Sequence, residues 1–434
     1  MGLYGWDQKK VFELTIDGSK IEEDMIDLPV MIHLASGTGI TNADVTPVFD
    51  ELLSVSGTKK IAITTYSGDQ CYVEIEDWDW GAEDAWLWTK VPALTSGTDE
   101  ILYLYYDSTQ PDNTTYVGDV TDLAATNVWN SNYVGVWHMA QDPSGGPDAI
   151  KDSTSNNNHG TSAGSMTTGD LVDGKVGKAI DFDGSDDYIN MGSDLSLHIN
   201  DNYTIDVMAT FSALGATNNR GMFFKGVIGS AYIILEKWYG TNAAFRTGLA
   251  EVTSSYPSLD TSNWFQLSAR CNGKNSTGQS LYVSGEISGS ELDNSSTADV
   301  SSDQPVWIGR SQNYHTGLIG EVRISNTARS PAWIKATYYS NFDDFITFVP
   351  VPIYYFSGTV TEGLSATAIS GAVIYMYRRD NGQYLGQTTS SGDGSFYVET
   401  AYGGTHFLVC LDNEGGISYN DLIYGDITPV TISG

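Results

Sequence analysis

Carboxylates crowd one short stretch of this 434-residue chain. In DFDGSDD, Asp181, Asp183, Asp186 and Asp187 surround an Asp-Gly turn. Hard cations such as calcium take several oxygen ligands at once, so the turn is a candidate metal site. Strand alternation sends Asp181 and Asp183 to one face and Phe182 to the core. That pair could share an ion with a carboxylate from a later strand, and Glu321 in GLIGEVRIS supplies it. The plainer reading is a set of turn carboxylates in solvent, and the loop does not follow the EF-hand pattern. A second acidic run, Glu74, Glu76 and Asp77, lies in YVEIED. Two loops near strand ends, EKWYGTN and GRSQNYHTG, carry Trp238 and Tyr239, and Arg310, Tyr314 and His315. Aromatic faces beside hydrogen-bonding side chains suit sugar rings, although loop aromatics also serve simply to cap a sandwich edge. Trp137, Trp264 and Trp307 sit in alternating strands and are expected in the core. His138, the lone histidine of its strand, is expected to be a satisfied structural group.

Hydrolytic chemistry is not expected. Glycoside hydrolysis needs two carboxylates flanking the scissile bond, and no Glu-x-Asp-x-x-Glu run occurs between 131 and 347. Nor is a nucleophile elbow, Walker loop or HExxH motif expected. SGDGSF at 391–396 reads as a turn. The chain carries 54 acidic and 21 basic residues, a formal charge of −33. Nucleic acid and anionic membranes need a basic partner face, so both are excluded as partners. No apolar run reaches the ~18 residues of a membrane span. Cys71, Cys271 and Cys410 are too scattered for a disulfide framework or metal-ligand spacing. The opening MGLYGWDQKKVFEL does not read as a secretory leader, which favours release by lysis over secretion.

The elements that must position these groups are strands. Glycine (46) and tyrosine (26) are abundant and helical periodicity is scarce, so the expected fold is all-β, with three β-sandwich domains. Residues 1–115 hold short alternating runs such as LPVMIHL, KIAITT, WLWTKVP and ILYLYY at sandwich spacing. Residues 116–130 read as a connector with one short helix. Residues 131–347 begin with Val136-Trp137-His138-Met139 and end with GLIGEVRIS. Between them, Ala179–Phe182 and Asp187–Met191 alternate on either side of Asp183-Gly184-Ser185 and predict a hairpin. One helix follows, with Ser330 as N-cap, Pro331 in its first turn, and Trp333, Ile334, Thr337 and Tyr338 on one face. After Val349-Pro350-Val351-Pro352, residues 348–434 form a small seven-strand-type sandwich.

Several of these segments resemble known families. Trp137-His138-Met139, DSTSNNNHGT, KAIDFDGSDDYINMG and GLIGEVRISNTARSPAWI together resemble the laminin-G-like, concanavalin A-type jelly rolls. That resemblance implies a lectin-like central domain and makes glycan the expected ligand of the aromatic loops. Relatives often read Ile-Asp-Glu-Val-Arg-Ile where this chain has Ile319-Gly320-Glu321-Val322-Arg323-Ile324, so one implied calcium ligand is replaced by Gly320. LPVMIHL, YVEIED, WLWTKVP and ILYLYYDS resemble a bacterial and phage β-domain of unassigned function. SGTVTEG, ISGAVIYMYRRDNG and TTSSGDGSF resemble the carboxypeptidase-regulatory-like, transthyretin-like domains. The ending FLVCLDNEGGISYNDLIYGDITPV is similar to the terminal segment of phage tail and virion proteins. Together the resemblances imply a non-enzymatic phage virion protein of a tail, tail tip or capsid decoration. It would be a homo-oligomer on the virion surface among other virion proteins, with its jelly roll recognising host-surface glycan and structural calcium as the one cofactor. The alternatives are a structural stalk without ligand and a secreted, cell-surface adhesin.

Overall fold

The computed structural model describes the chain apart from residues 1, 2, 4, 8, 200, 213, 215–218, 228–231, 239, 248–249, 255–258, 274–277, 288–302, 353, 363–366, 381, 401–402, 412–421, 428 and 432–434. The chain divides into two compact units, one of residues 14–348 and one of residues 2–13 with 349–434. Strands predominate in both, and the fold is all-β.

The first unit contains two sandwiches. In the first sandwich, one sheet runs in the order Ile346–Pro350, Val11–Ile16, Glu100–Tyr106, Ile61–Thr65, of which residues 346–348 and 14–16 belong to this unit. The other runs Met25–Leu34, Asp84–Leu94, Val73–Asp79, Val117–Asp119. The second sandwich is a jelly roll of two large sheets. One runs Leu171–Asp173, Lys178–Asp183, Thr316–Ser325, Asn202–Ala209, Phe265–Asn272, Gln279–Val283, Glu286–Ile287, with Tyr133–Trp137 also paired to Thr316–Ser325. The other runs Thr161–Ala163, Tyr188–Asn190, Val306–Ile308, Arg220–Gly226, Tyr232–Lys237, Ala243–Thr247, Ala250–Thr253. Trp137, Ile180, Phe182, Ile189, Phe223, Leu235, Phe245, Leu267 and Ile319 fill the space between the sheets. Each such side chain contributes about 1.5–3 kcal/mol by leaving water.

The two runs around Asp183-Gly184-Ser185 do not form a hairpin. Lys178–Asp183 pairs with Thr316–Ser325 in one sheet, and Tyr188–Asn190 pairs with Val306–Ile308 in the other. The turn is therefore a sandwich corner, and Phe182 and Ile189 enter the same core from opposite walls. Alternation alone cannot separate a corner from a hairpin, because both bury every second residue.

Thr316–Ser325 is half-buried at its start but buried on both faces from Ile319 onward. One face meets the jelly-roll core and the other meets the first sandwich. The helix Pro331–Asn341 lies at the same junction. Ser330 caps it by accepting from Trp333 N at 3.1 Å. Ser340 Oγ accepts from Met31 N at 2.8 Å on the first sandwich, and Asn341 Nδ2 donates to Gln266 on the jelly roll at 2.8 Å. The helix therefore bonds both sandwiches.

The second unit holds a sheet of Ser395–Thr400, Tyr354–Thr359 and Val430–Thr431, and another of Tyr384–Thr389, Val373–Arg378, His406–Leu411 and Leu422–Ile427. Phe356, Ile374, Met376, Val398 and Leu408 form its small core.

Candidate functional site

The loop after Val306–Ile308 positions the first group of ligand candidates. Gly309 has φ 81°, and a Cβ there would stand 2.2 Å from the Phe182 ring, so only glycine lets the chain turn over the core at this point. The loop is then pinned by Gly309 N to Met222 O at 3.0 Å, His315 N to Gly309 O at 2.8 Å and Ser311 Oγ to Asn219 O at 2.9 Å. Arg310 projects from it over three half-buried rings. Its guanidinium carbon lies 4.6 Å from the Trp307 centroid, 4.9 Å from Tyr188 and 5.2 Å from Tyr314. Trp307 also stacks on Phe224 at 5.3 Å. Trp307 thus faces outward from the sheet and is not in the main core where alternation placed it. Tyr188 was missed because its strand read as half of a hairpin.

Trp238 follows Tyr232–Lys237 and lies under Arg246, 4.5 Å from centroid to guanidinium. Buried Glu236 links the two groups, accepting from Arg246 at 2.8 Å and from Ser311 Oγ at 3.0 Å. Tyr239 lies outside the described residues. His315 departs from the sequence expectation. It is fully buried, with its Nε2 3.0 Å from Thr210 O, and burial holds its pKa down at about 4. A neutral, enclosed imidazole offers no contact to a ligand at the surface.

The expected metal set is not assembled either. Asp181 and Asp183 pair with Leu318 and Thr316, whereas Glu321 lies three to five residues further along that strand, roughly 10–16 Å away at ~3.3 Å per residue. Asp183, Asp186 and Asp187 instead bring ligand atoms within 4.8 Å of one another at the corner. The N–H of Ser185 holds the Asp183 carboxyl below its ordinary range, while burial raises that of Asp187. GTSAG at 160–164 has the spacing of a nucleophile elbow. Ser162, however, lies within Thr161–Ala163, not at a strand-to-helix turn.

Glu321 belongs to a buried cluster that sequence reasoning missed. Glu74 and Glu76, from Val73–Asp79 of the first sandwich, meet His138, Glu321 and Arg323 of the jelly roll, and all five are buried. His138 Nδ1 lies 2.7 Å from Glu321 and 3.3 Å from Glu76, and its Nε2 lies 3.4 Å from Glu74. Trp88 Nε1 donates to Glu76 and Trp129 Nε1 to Glu74, each at 2.6 Å. Arg323 donates to Glu321 at 2.9 Å and to Asn341 at 3.1 Å, with its guanidinium 4.2 Å from the Trp88 centroid.

Burial pushes the Glu76 carboxyl up to about 8. Burial also works against charge on His138, but Glu321, Glu76 and Glu74 outweigh it and raise that imidazole well above its ordinary value. The charges of His138 and Arg323 outweigh burial at Glu321 and keep it low. Glu76, His138 and Glu321 also present ligand atoms within 4.8 Å of one another. Arg323 already supplies the positive charge a metal would bring, so the donor set closes as an ion network. In the sequence, V-E-I-E is indistinguishable from a strand with one wet face; what covers that face is another sandwich.

Residues 183–335 match the family model for laminin-G-like domains of the concanavalin A-like lectin/glucanases superfamily. No curated protein matches the chain. Among solved structures, domain 4 of an extracellular arabinanase from Geobacillus stearothermophilus, in complex with arabinotriose, is 20% identical with a TM-score of 0.38. It covers 47% of this chain and 97% of its own. The binding domain of Paraclostridial mosquitocidal protein 1 is 15% identical with a TM-score of 0.38, over 68% of this chain and 73% of its own. The botulinum neurotoxin serotype D binding domain is 13% identical with a TM-score of 0.37, over 70% and 80% respectively. The matched residues include strands of both large sheets, so the jelly roll is similar to laminin-G-like domains of concanavalin A-like type.

Proposed function

We propose that the jelly roll binds glycan, without catalysis, through the outer surface that carries Tyr188, Trp307, Arg310 and Tyr314, with Trp238 beside it. The observation that carries this reading is Arg310 held over three half-buried rings by a loop pinned by backbone hydrogen bonds. Rigid aromatic faces cost little entropy on binding and stack on the apolar faces of sugar rings. The buried carboxylates Glu76, Glu74 and Glu321 are engaged by Trp88, Trp129 and Arg323, which suits a structural role for them. Calcium belongs to the same proposal, with Asp183, Asp186 and Asp187 as its ligands. We place the protein on the surface of a phage virion as a homo-oligomer among other virion proteins, a reading supported by the acidic charge and the resemblance of the C-terminal segment. Binding of the full chain to a broad glycan panel tests the glycan reading. Saturable binding lost in both Tyr314→Ala and Trp238→Ala is expected; no binding by the folded chain sinks it.

A ligand-free structural role is the second reading. It is favoured by the ion network that joins the two sandwiches of the first unit, since a stalk needs stiffness and no binding site.

A further inference from the structure

Arg310 stands out chemically in a chain with 54 acidic residues. Arg246, Arg323 and Arg378 each hold a carboxylate within 2.6–2.9 Å. The Arg310 guanidinium, by contrast, makes no hydrogen bond or ion pair among the described residues; its contacts are the three ring faces. The acidic corner at Asp183, Asp186 and Asp187 adjoins Tyr188 in sequence, yet none of its carboxylates comes within 4.0 Å of Arg310. The rings flank the guanidinium, and its N–H groups have no hydrogen-bond partner among the described residues. A planar fork of this kind matches a carboxylate through two parallel hydrogen bonds. The half-exposed rings beside it offer a stacking surface for the sugar that carries the acid.

We infer that Arg310 is the specificity-determining residue of the glycan site and selects a saccharide bearing a carboxylate, a uronic or sialic acid residue. This inference rests on the glycan reading above. The carboxylate docks edge-on against Arg310, while the pyranose ring lies against Tyr314 or Tyr188. Because the guanidinium already rests against three rings, little side-chain freedom is lost on binding. The local cation also offsets the repulsion that the −33 charge of the chain imposes on an anionic ligand.

The test uses the full chain with three probes: oligogalacturonate, oligosialic acid and hyaluronan oligosaccharides, each beside its carboxyl-reduced neutral form. At least one acidic probe is expected to bind at least tenfold more tightly than its neutral form. Arg310→Gln should abolish that preference, and Arg310→Lys, which keeps the charge and loses the fork, should weaken binding about 10- to 100-fold. Tyr314→Phe should retain the preference, which separates acid selection from stacking. Equal binding of acidic and neutral forms, unchanged in Arg310→Gln, overturns the acid inference and leaves the glycan reading standing. Failure of every acidic and neutral glycan to bind the folded chain overturns both.

Discussion

Replacing Glu76 by glutamine tests whether the buried cluster holds a proton at neutral pH. In the folded state Glu76 keeps its proton up to about pH 8, whereas the unfolded carboxyl releases it near 4.5. Between those values the folded chain binds one more proton than the unfolded chain, so stability falls as pH rises, by about 1.4 kcal/mol per pH unit. His138 acts in the same direction. Its folded pKa lies well above 6.5, so its contribution is complete below pH 6.5 and is lost as pH rises toward the folded value. His315 acts oppositely. Its folded pKa of about 4 makes stability rise between pH 4 and 6.5. Glutamine retains an acceptor for Trp88 and removes the Glu76 titration, and groups remote from the cluster cancel when the two proteins are compared. Relative to the native chain, Glu76→Gln is expected to gain about 1.4 kcal/mol per pH unit, or about 4 kcal/mol from pH 5 to pH 8. Urea unfolding followed by tryptophan fluorescence at half-unit pH steps measures this. The probe is well placed, since of the 11 tryptophans only Trp6 falls outside residues 14–348. A stability difference that stays constant from pH 5 to 8 would refute a protonated Glu76.

Other perturbations follow from the same geometry. Arg323→Met leaves Glu321 buried without its guanidinium and should cost about 3–5 kcal/mol in urea unfolding at pH 7; a loss under 1 kcal/mol would mean the cluster rearranges to pair itself. Gly309→Ala forces a Cβ into the Phe182 ring at positive φ, and should cost roughly 1–3 kcal/mol and displace Arg310. Unchanged glycan affinity in that variant would argue against a preformed loop. Calcium should raise the Tm of the native chain, and the rise should vanish in Asp187→Asn; equal thermal scans in calcium and in chelator would remove the ion from the proposal.

Most strands were legible because they alternate. Met25–Leu34, Asp84–Leu94, Glu100–Tyr106 and Thr316–Ser325 fall where the apolar periodicity placed them. Ser330 and Pro331 likewise marked the helix start through capping chemistry. Three things escaped, each for a physical reason. A corner and a hairpin share one pattern, so the sheet switch at Asp183–Asp187 was invisible and Tyr188 was not paired with Arg310. Loop polarity suggested that His315 was exposed, but the half-turn from Gly309 folds it over Phe182 and Phe211. The Glu74–Glu76–His138–Glu321–Arg323 cluster was hidden because its members are spread over some 250 residues. Periodicity reports that a face is polar; it does not report whether water or protein lies against it.

The junction described above also bears on how load travels through the molecule. A hinge needs a few residues that can rotate without breaking buried contacts. Here the first sandwich and the jelly roll are tied by a buried ion network and by a helix that bonds both sides. Bending between them would strand buried charges, so the pair transmits force as a single strut. Force applied to the jelly roll therefore passes into residues of the first sandwich, and excising the jelly roll at residue 131 would cut through the strut itself.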